Sequence, residues 1–410
     1  MGEDQLDQPF YITPKESLVS AKEKLGGFEK KEITAPTWAE AHRELGEWVG
    51  EQVQSILTRK VEGSSDEDLQ KAMVFASGCK DHLEAKRTHP LIGQGVQKYL
   101  DSLDAWAEGA GLDDIAKSVA QRVGSPISRT ELALWLQNDN VGCQTTLIRN
   151  KEGTVSFIHS EEDIGGAVER PRQAAFTIGK EKKQRLNAFI YPHLLPGPAF
   201  SWGNDIFQAV DFLYLKAPEA PGGLANTAAW LLFTQENPYD NAEDIIKALG
   251  PFVDGYAVNM VRRRQEGEPK VDAKRIVFAQ DAMSVKELSG QTGDVMAQVN
   301  VLAEEENEDL QKLEEIDPSK RPLYERRVER TKRALKLIQH FVKQELNLDA
   351  LTRIMAFRIG EKGFAYANTD VKAGVAGEIS GDKMQMRILS GPAIKEDLKA
   401  GKYEEISIPS

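Results

Sequence analysis

Apolar and polar positions follow a helical period through the first third of the chain. Between residues 36 and 138 apolar side chains recur at helical spacing, and segment 96–103 shows the pattern well. Thr37 is followed three residues later by Glu40, which is a capping-box signature at the start of a helix. The pattern predicts several consecutive helices over this stretch.

After residue 142 the period shortens towards two, which predicts strands. Segments 145–148 and 154–158 flank a turn at 150–153, and segments 174–178 and 186–190 flank a charged turn, so both pairs read as hairpins. The same reasoning predicts further strands at 207–214, 257–261, 276–279, 298–302, 354–359 and 364–368, and helices at 226–234, 241–249 and 304–344. Asp240 or Asn241 is the expected cap of the helix at 241–249. Blocks of strands and helices favour an α+β domain over a parallel βαβ sheet.

Composition narrows the classes of function. The chain has 410 residues, an apolar fraction of 40% and a net charge of −12. Such a length allows one large domain or two to three average ones. A negative balance disfavours nucleic-acid backbones and anionic membrane surfaces as partners, since both require a basic footprint. No segment approaches the ~20 apolar residues of a spanning helix. Neither nucleic acid nor membrane is therefore an expected partner.

Cysteine usage points to a reducing compartment. Cys79 and Cys143 are the two cysteines, and their positions do not form a disulfide framework. The acidic start lacks the features of a secretory signal, so a cytoplasmic protein is expected. No CxxC or HxxxH pair offers metal-ligand spacing, and Gly93-Gln94-Gly95 lacks the third glycine of a dinucleotide loop. The sequence predicts no metal and no cofactor.

The segment Gly142-Cys143-Gln144-Thr145-Thr146 stands where the period changes. If the bond between Gly142 and Cys143 is cut, Cys143 carries both a thiol and a free α-amine. An α-amine titrates near ~7.7–8.0 and a thiol near ~8.5, so the amine can act as the base for the thiol. The competing interpretation is that Cys143 is a small core residue, which is the role expected for Cys79.

This junction and the helical segment 99–111 before it resemble the acyl-coenzyme A:6-aminopenicillanic acid acyltransferase family of N-terminal-nucleophile (Ntn) hydrolases, which are related to the choloylglycine hydrolases. The resemblance covers about residues 90–360. It implies an α+β fold, a four-layer αββα sandwich preceded by a helical leader. It divides the chain into an N-terminal extension (1–35), a leader that becomes the small subunit (36–142) and an Ntn core (143–410).

The resemblance also implies roles for individual residues. Cys143 matches the nucleophile and, with Gly142, the processing site. Asn300 falls where the family has an asparagine that helps to form the oxyanion hole. The acidic residue that orients the new amine corresponds to Glu162 or Asp163.

Three further residues are expected to bind substrate. Phe200 and Trp202 lie in loop 191–204, whose composition indicates a pocket for an apolar or aromatic acyl group. Asp211 stands where the family has a second asparagine, and a carboxylate there would repel an oxyanion unless it is protonated.

The sequence departs from the family pattern at two other places. Gln144 separates Cys143 from the paired threonines, which can shift the hairpin register by one residue and reverse the side-chain faces. The family's His-Thr-Asn-His segment is reduced to Gln298-Val299-Asn300-Val301.

Three functional hypotheses follow. The first is a self-processing N-terminal-cysteine hydrolase or acyltransferase that acts on a small-molecule amide through a thioester, with its two processed subunits associated. The second is a catalytically inactive, uncleaved Ntn-fold scaffold that binds a small molecule or a protein partner. The third is an unprocessed Cys-His-acid hydrolase that uses His159 or His193.

Overall fold

A computed structural model describes most of the chain. The described residues are 29–138, 142–150, 153–162, 172–179, 184–203, 205–213, 221–235, 237–264, 270–280, 282–299, 346–356, 371–390 and 404–409. Within them the protein is α+β, with helices and two sheets.

Within residues 29–138, five helices precede the junction at residue 142, as the helical period predicts. They are α1 (Trp38–Glu62), α2 (Asp66–Lys86), α3 (Gly93–Gly109), α4 (Asp113–Val123) and α5 (Arg129–Gln137). Thr37 caps α1 through a hydrogen bond from Glu40 N, and Ser128 forms a full capping box with Glu131 on α5. Two more helices, α6 (Ala225–Thr234) and α7 (Pro238–Leu249), follow within the strand-rich part.

The first sheet, sheet A, has eight strands among the residues that the structure describes. In spatial order they are β1 (Glu29–Ala35), β4 (Arg172–Ile178), β5 (Gln184–Ile190), β6 (Phe200–Trp202), β7 (Ile206–Phe212), β8 (Gly255–Arg264), β9 (Lys270–Ala279) and β10 (Ala282–Glu287). β1 pairs with β4 in parallel, and the other neighbours are antiparallel.

The second sheet, sheet B, has six antiparallel strands in the described part of the chain. In spatial order they are β11 (Val295–Val299), β2 (Gly142–Arg149), β3 (Val155–Glu162), β12 (Val371–Ile379), β13 (Lys383–Ser390) and β14 (Glu404–Pro409). The helix α8 (Leu348–Ala356) contacts β3, β12 and β13.

Sheet A is buried on both faces. Val210 and Phe212 of β7 belong to the apolar cluster that includes the helices, whereas Phe207 and Ala209, on the opposite face of the same strand, pack in the cluster with sheet B. Phe207 stacks on Phe157 of β3 with ring centroids 3.9 Å apart. Helices therefore cover one face of sheet A, and sheet B covers the other.

Several predicted elements are confirmed and others are wrong. Both hairpins are present, as β2–β3 and β4–β5. The strand predicted at 354–359 is wrong at its start, because α8 runs to Ala356. The Asn347 side chain accepts a hydrogen bond from Ala350 N and so caps α8, whose Leu348, Leu351 and Thr352 are buried. The cap predicted for α7 is also wrong: α7 begins at Pro238, with Asn237 before it.

Strands β1, β6, β10, β12, β13 and β14 are absent from the sequence predictions. β1 lies in the segment that the sequence assigns to an N-terminal extension, and it forms an edge of sheet A. The predicted helix 304–344 and strand 364–368 lie outside the described residues. None of the described helices combines the length and the apolar character needed to cross a membrane.

Candidate functional site

Cys143 is the second residue of β2 and its side chain is 0% exposed. It belongs to the apolar cluster between the two sheets, together with Leu147 of the same strand. In the β2–β3 register Cys143 lies opposite Glu161, and Thr145 lies opposite His159. These four side chains share the face of sheet B that looks towards sheet A, because alternate residues of a strand point the same way.

Four fully or nearly buried side chains form a continuous hydrogen-bonded chain beside Cys143, here called the buried polar chain. The Tyr191 hydroxyl donates to Glu161 Oε2 at 2.6 Å, and Glu161 Oε1 lies 2.7 Å from His159 Nε2. His159 Nδ1 lies 2.8 Å from Thr145 Oγ1. Hydroxyl, imidazole and carboxylate thus follow one another in the order of a hydrolytic triad. Because Thr145, His159 and Glu161 are 0% exposed, this arrangement is suited to holding a proton away from water.

Asp211 of β7 approaches the buried polar chain from sheet A. Its Oδ2 accepts a hydrogen bond of 2.8 Å from Asn259 Nδ2, and its Oδ1 lies 3.9 Å from His159 Nδ1. Oδ1 has no hydrogen-bond partner of normal geometry among the described residues. Burial raises the pKa of Asp211 to about 7, against the opposing effects of the nearby His159 and Thr145 and of the hydrogen bond from Asn259. Near neutral pH this carboxyl is therefore protonated in a large fraction of molecules.

A second group of buried side chains holds the end of the helical segment next to the junction. Gln137, the last residue of α5, donates through Nε2 to His193 O at 3.1 Å and accepts from Leu195 N at 3.0 Å. Its backbone oxygen accepts from Asn226 Nδ2, and Asn226 Oδ1 accepts from the Tyr256 hydroxyl. The pKa of Tyr256 is well above its ordinary value, chiefly through burial and then through nearby acidic groups that include Cys143. The chain is therefore anchored five residues before Gly142.

Neither of the two carboxylates predicted to orient the new amine, Glu162 and Asp163, is among the described side chains. Glu162 lies opposite Gly142 in the register, and its side chain is outside the described residues, as is Asp163. Glu161 is the described carboxylate opposite Cys143. Asn300 also lies outside the described residues; β11 ends one residue earlier at Val299, which pairs with Gln144.

The predicted substrate residues lie close to the buried polar chain. Phe200 and Trp202 are 1% and 2% exposed, so both are core residues of β6. Phe200 stacks on Trp202 with ring centroids 6.1 Å apart and meets His159 edge to face at 5.6 Å. The structure thus brings Phe200 and Asp211 close to the His159 ring, and Trp202 contacts Phe200.

Cys79 differs from Cys143 in its surroundings. It is a buried residue of α2, and burial raises the pKa of its thiol to about 11. A thiol with such a pKa is almost entirely protonated at neutral pH and is a poor nucleophile. This agrees with the core role expected from the sequence.

No protein-family model matches this sequence, and no curated protein matches it. The function therefore has to be argued from the site itself. Within the described residues, no group of three or more His, Cys, Asp or Glu side chains is arranged to hold a metal ion.

Sequence reasoning missed Glu161, Thr145 and Tyr191. The hairpin pairs Arg149 with Val155 and hence Cys143 with Glu161. A four-residue turn at 150–153 would instead pair Arg149 with Thr154 and Cys143 with Ser160, so a register count on the predicted turn would have been wrong by one residue. Tyr191 lies just after β5 in sheet A, so its contact with Glu161 depends on how the two sheets stack.

Proposed function

We propose that the protein is a self-processing N-terminal-cysteine hydrolase or acyltransferase of the Ntn type that acts on a small-molecule amide. The observation that carries this proposal is the position of Cys143 at the start of β2, facing the space between two stacked sheets. The helices that pack on sheet A and the contacts of α8 with sheet B support an αββα arrangement for this proposal. The residues around Cys143 supply further groups that such a reaction needs.

Each step of the reaction has a candidate group. During processing the thiol of Cys143 adds to the Gly142 carbonyl, the Gly142–Cys143 amide bond breaks to leave a thioester and a free α-amine, and water hydrolyses the thioester to release residues 1–142 and the thiol. The α-amine then serves as the base in later turnover. The thiolate then attacks a substrate amide carbonyl, the ammonium gives its proton to the leaving amine, and a thioester remains. Water or a second amine attacks the thioester and releases Cys143.

Two carboxyl groups have different roles in this scheme. Glu161, opposite Cys143 and held by Tyr191 and His159, is added to Glu162 and Asp163 as a candidate to orient the new amine. Asp211 in its protonated form is a hydrogen-bond donor, so it can stabilise an oxyanion where an ionised carboxylate would repel it. An ionised Asp211 would repel an oxyanion, as expected from the sequence. The raised pKa of Asp211 supports the protonated form, which does not.

The intact mass of the purified protein under denaturing conditions tests the proposal. We expect two fragments, 1–142 and 143–410, from the wild type and one full-length mass from Cys143→Ala. Cys79→Ala is the matched control, because it removes the other buried thiol and should leave processing unchanged. A single full-length mass for both wild type and Cys79→Ala would rule out the N-terminal-nucleophile mechanism.

The burial of Cys143 supports a second candidate, an uncleaved scaffold that binds a ligand without turnover. That function predicts an intact chain whose Cys143 reacts slowly with thiol reagents until the protein unfolds. The unprocessed Cys-His-acid hydrolase has less support. Each ring nitrogen of His159 already has a partner at hydrogen-bond distance, so activation of Cys143 would require one of these bonds to be replaced.

A further inference from the structure

The side chain of Gln137, the last residue of α5, completes the backbone hydrogen bonding of a buried loop between β5 and β6. Its Nε2 donates to His193 O at 3.1 Å, and its Oε1 accepts from Leu195 N at 3.0 Å. A primary amide can make both bonds at once, because it carries an acceptor beside its donors. His193 and Leu195 are 2% and 1% exposed, so water does not readily replace Gln137 as their partner. Gln137 therefore fixes the backbone of this loop.

The same loop carries Tyr191. Leu194 N donates to Tyr191 O at 3.0 Å, which closes a turn between Tyr191 and the residues that Gln137 holds. The rings of Tyr191 and His193 also contact each other, with centroids 6.2 Å apart. The Tyr191 hydroxyl donates to Glu161 Oε2 at 2.6 Å. A movement of the loop would therefore move the donor that holds Glu161.

Glu161 passes this restraint on to His159. Its other oxygen, Oε1, lies 2.7 Å from His159 Nε2, and Glu161 is the residue opposite Cys143 in the register of β2 and β3. A carboxylate that has a partner on each oxygen keeps one orientation, whereas one that loses a partner can turn about its terminal torsion, which has a broad energy minimum. The geometry of the hydrogen bond between Glu161 and His159 thus depends on Tyr191 and, through the loop, on Gln137.

Gln137 is itself held through its backbone. Its carbonyl oxygen accepts from Asn226 Nδ2 of α6, and Asn226 Oδ1 accepts from the Tyr256 hydroxyl of β8. Gln137 is 0% exposed, although it ends a helix. It precedes the junction in sequence, whereas the partners that hold it follow the junction. These bonds do not depend on the peptide bond between Gly142 and Cys143, so a cut there would leave them in place.

We propose that Gln137 is a positioning residue for the site at Cys143, supplied by the segment that precedes the junction. It fixes loop 191–195 so that Tyr191 and Glu161 keep their places in the buried polar chain, in the uncut and in the cut chain alike. The helical segment before the junction thus has a lasting role beside Cys143, in addition to its role in the core. The further step, that this arrangement speeds the cut before Cys143, rests on the proposed function.

Proton NMR of the full chain tests the positioning role without reference to catalysis. A proton held between a buried imidazole nitrogen and a carboxylate oxygen 2.7 Å apart gives a far-downfield signal, and His159→Gln assigns this signal by removing it. We expect Gln137→Met, which keeps the length of the side chain and makes neither bond to the loop, to lose the signal or shift it upfield. Gln97→Met is the matched control, because it breaks an exposed bond to Asp101 within α3 and should leave the signal unchanged.

A second variant, Gln137→Glu, separates positioning from a general loss of packing. Burial favours the acid form of the new carboxyl, which can donate to His193 O and accept from Leu195 N as the amide does. We expect Gln137→Glu to keep the downfield signal while this carboxyl is protonated, and to lose it at a lower pH than the wild type does, because the ionised form has no donor. This variant carries the test if Gln137→Met does not fold.

The link to the proposed function is read from the rate of self-processing. Wild type, Gln137→Met and Gln97→Met are made by cell-free synthesis, and the masses of full-length and cut chains are followed with time. We expect Gln137→Met to be cut at least about tenfold more slowly than wild type, as for a small misplacement of reacting groups. Gln97→Met should be cut at the wild-type rate.

An unchanged downfield signal in Gln137→Met, or a wild type without a signal that His159→Gln removes, would overturn the positioning role. If the signal is lost but Gln137→Met and Gln97→Met are cut at equal rates, the link to cutting is rejected. A wild type that is never cut rejects the proposed function, whereas loss of the signal in Gln137→Met would still establish that Gln137 holds the buried polar chain.

Discussion

His159 lies between two carboxyl groups, with Glu161 Oε1 at 2.7 Å from one ring nitrogen and Asp211 Oδ1 at 3.9 Å from the other. All three side chains are 0% exposed. Because an unbalanced buried charge is costly, two ionised carboxylates with one imidazolium are unfavourable here. A proton on Asp211 lowers the buried negative charge beside His159, which is the state that the raised pKa of Asp211 favours.

The first prediction concerns Asp211→Asn and the dependence of stability on pH. Burial raises the pKa of Asp211 from 3.8 to about 7, so between these values the folded protein binds more protons than the unfolded chain. The contribution of Asp211 is therefore full below about pH 4 and is lost as the pH rises towards 7. Relative to wild type, Asp211→Asn should gain at most about 1.4 kcal/mol of unfolding free energy per pH unit across this window.

Urea unfolding of both proteins at intervals across the window measures this difference. Two other buried groups are common to both proteins and cancel: burial raises the pKa of Asp254 to about 7 and lowers that of His42 to about 4. Parallel stability curves for the two proteins would show that Asp211 titrates normally.

The second prediction concerns Tyr191→Phe, which removes the donor to Glu161 Oε2. A buried carboxylate that loses one donor should cost about 1–3 kcal/mol of unfolding free energy, measured by urea unfolding. Tyr239→Phe is the control, because the Tyr239 ring packs against Arg262 and Lys274 and keeps those contacts without its hydroxyl. Equal losses in the two variants would contradict a specific role for the Tyr191 hydroxyl.

Only part of this site could be predicted from the sequence. Cys143 was identifiable because a glycine precedes it where the period of the pattern changes. The pairing of Glu161 with Cys143 was not, because it depends on the exact length of the turn between β2 and β3. The approach of Asp211 and Tyr191 was not predictable, since both residues belong to sheet A and meet His159 or Glu161 only when the sheets stack. No local periodicity encodes that contact.

At the scale of elements, α1 and α3 pack with their backbones in close approach. A Cβ atom at Gly46 of α1 would lie 2.2 Å from Trp106 O, and one at Gly109 of α3 would lie 2.2 Å from Arg43 O. Such distances are far below van der Waals contact. The two helices can pack this closely only because glycine stands at both positions.

The third prediction is that Gly46→Ala destabilises the protein by about 1–3 kcal/mol, because a backbone carbonyl cannot move aside as a side chain can. Gly95→Ala in α3 is the matched control. Its Cβ would meet the ends of the Leu231 and Gln235 side chains, which can turn away, so stability should be unchanged or slightly raised. Thermal unfolding of both variants tests this prediction. An unchanged stability of Gly46→Ala would mean that α1 and α3 can move apart without a loss of stability.

Helices and strands were predictable where the sequence has a clear hydrophobic period and clear turn signals. The helices of 36–138 and the two hairpins have clear periods and turn signals, and all are present. β1 was missed because its first four residues (29–32) are all charged, and its buried positions lie only at its C-terminal end. α8 was taken for a strand at its C-terminal end because β-branched and aromatic residues follow it, whereas its capping by Asn347 and its packing on sheet B decide its conformation.

At the scale of the whole molecule, the segments before and after the junction share one apolar cluster. Leu45 and Trp106 from the helices pack with Phe176 of sheet A and with Trp230 of α6. Trp230 also donates to His42 Nε2 at 3.2 Å, which ties α6 to α1 across the junction. The two segments therefore form one folding unit.

The fourth prediction follows from this shared cluster. If the chain is cut before Cys143, fragments 1–142 and 143–410 should remain together under native conditions and elute from a size-exclusion column in one peak. They should separate only in denaturant, since dissociation would expose the faces of the helices and of sheet A to water. The uncut Cys143→Ala protein is the size standard; separate native peaks would contradict a common core.

β1 pairs with β4 along its whole length, from Glu29 opposite Arg172 to Ala35 opposite Ile178. A cut at residue 142 would leave β1 on one polypeptide and β4 on another. In the uncut chain the covalent link gives β1 a high effective concentration at β4, which separately made fragments would lack. Fragment 143–410 on its own would present β4 as an unpaired edge, a template for aggregation. If the chain is cut at this junction, it therefore has to fold first, because a separated pair of fragments would not reassemble efficiently.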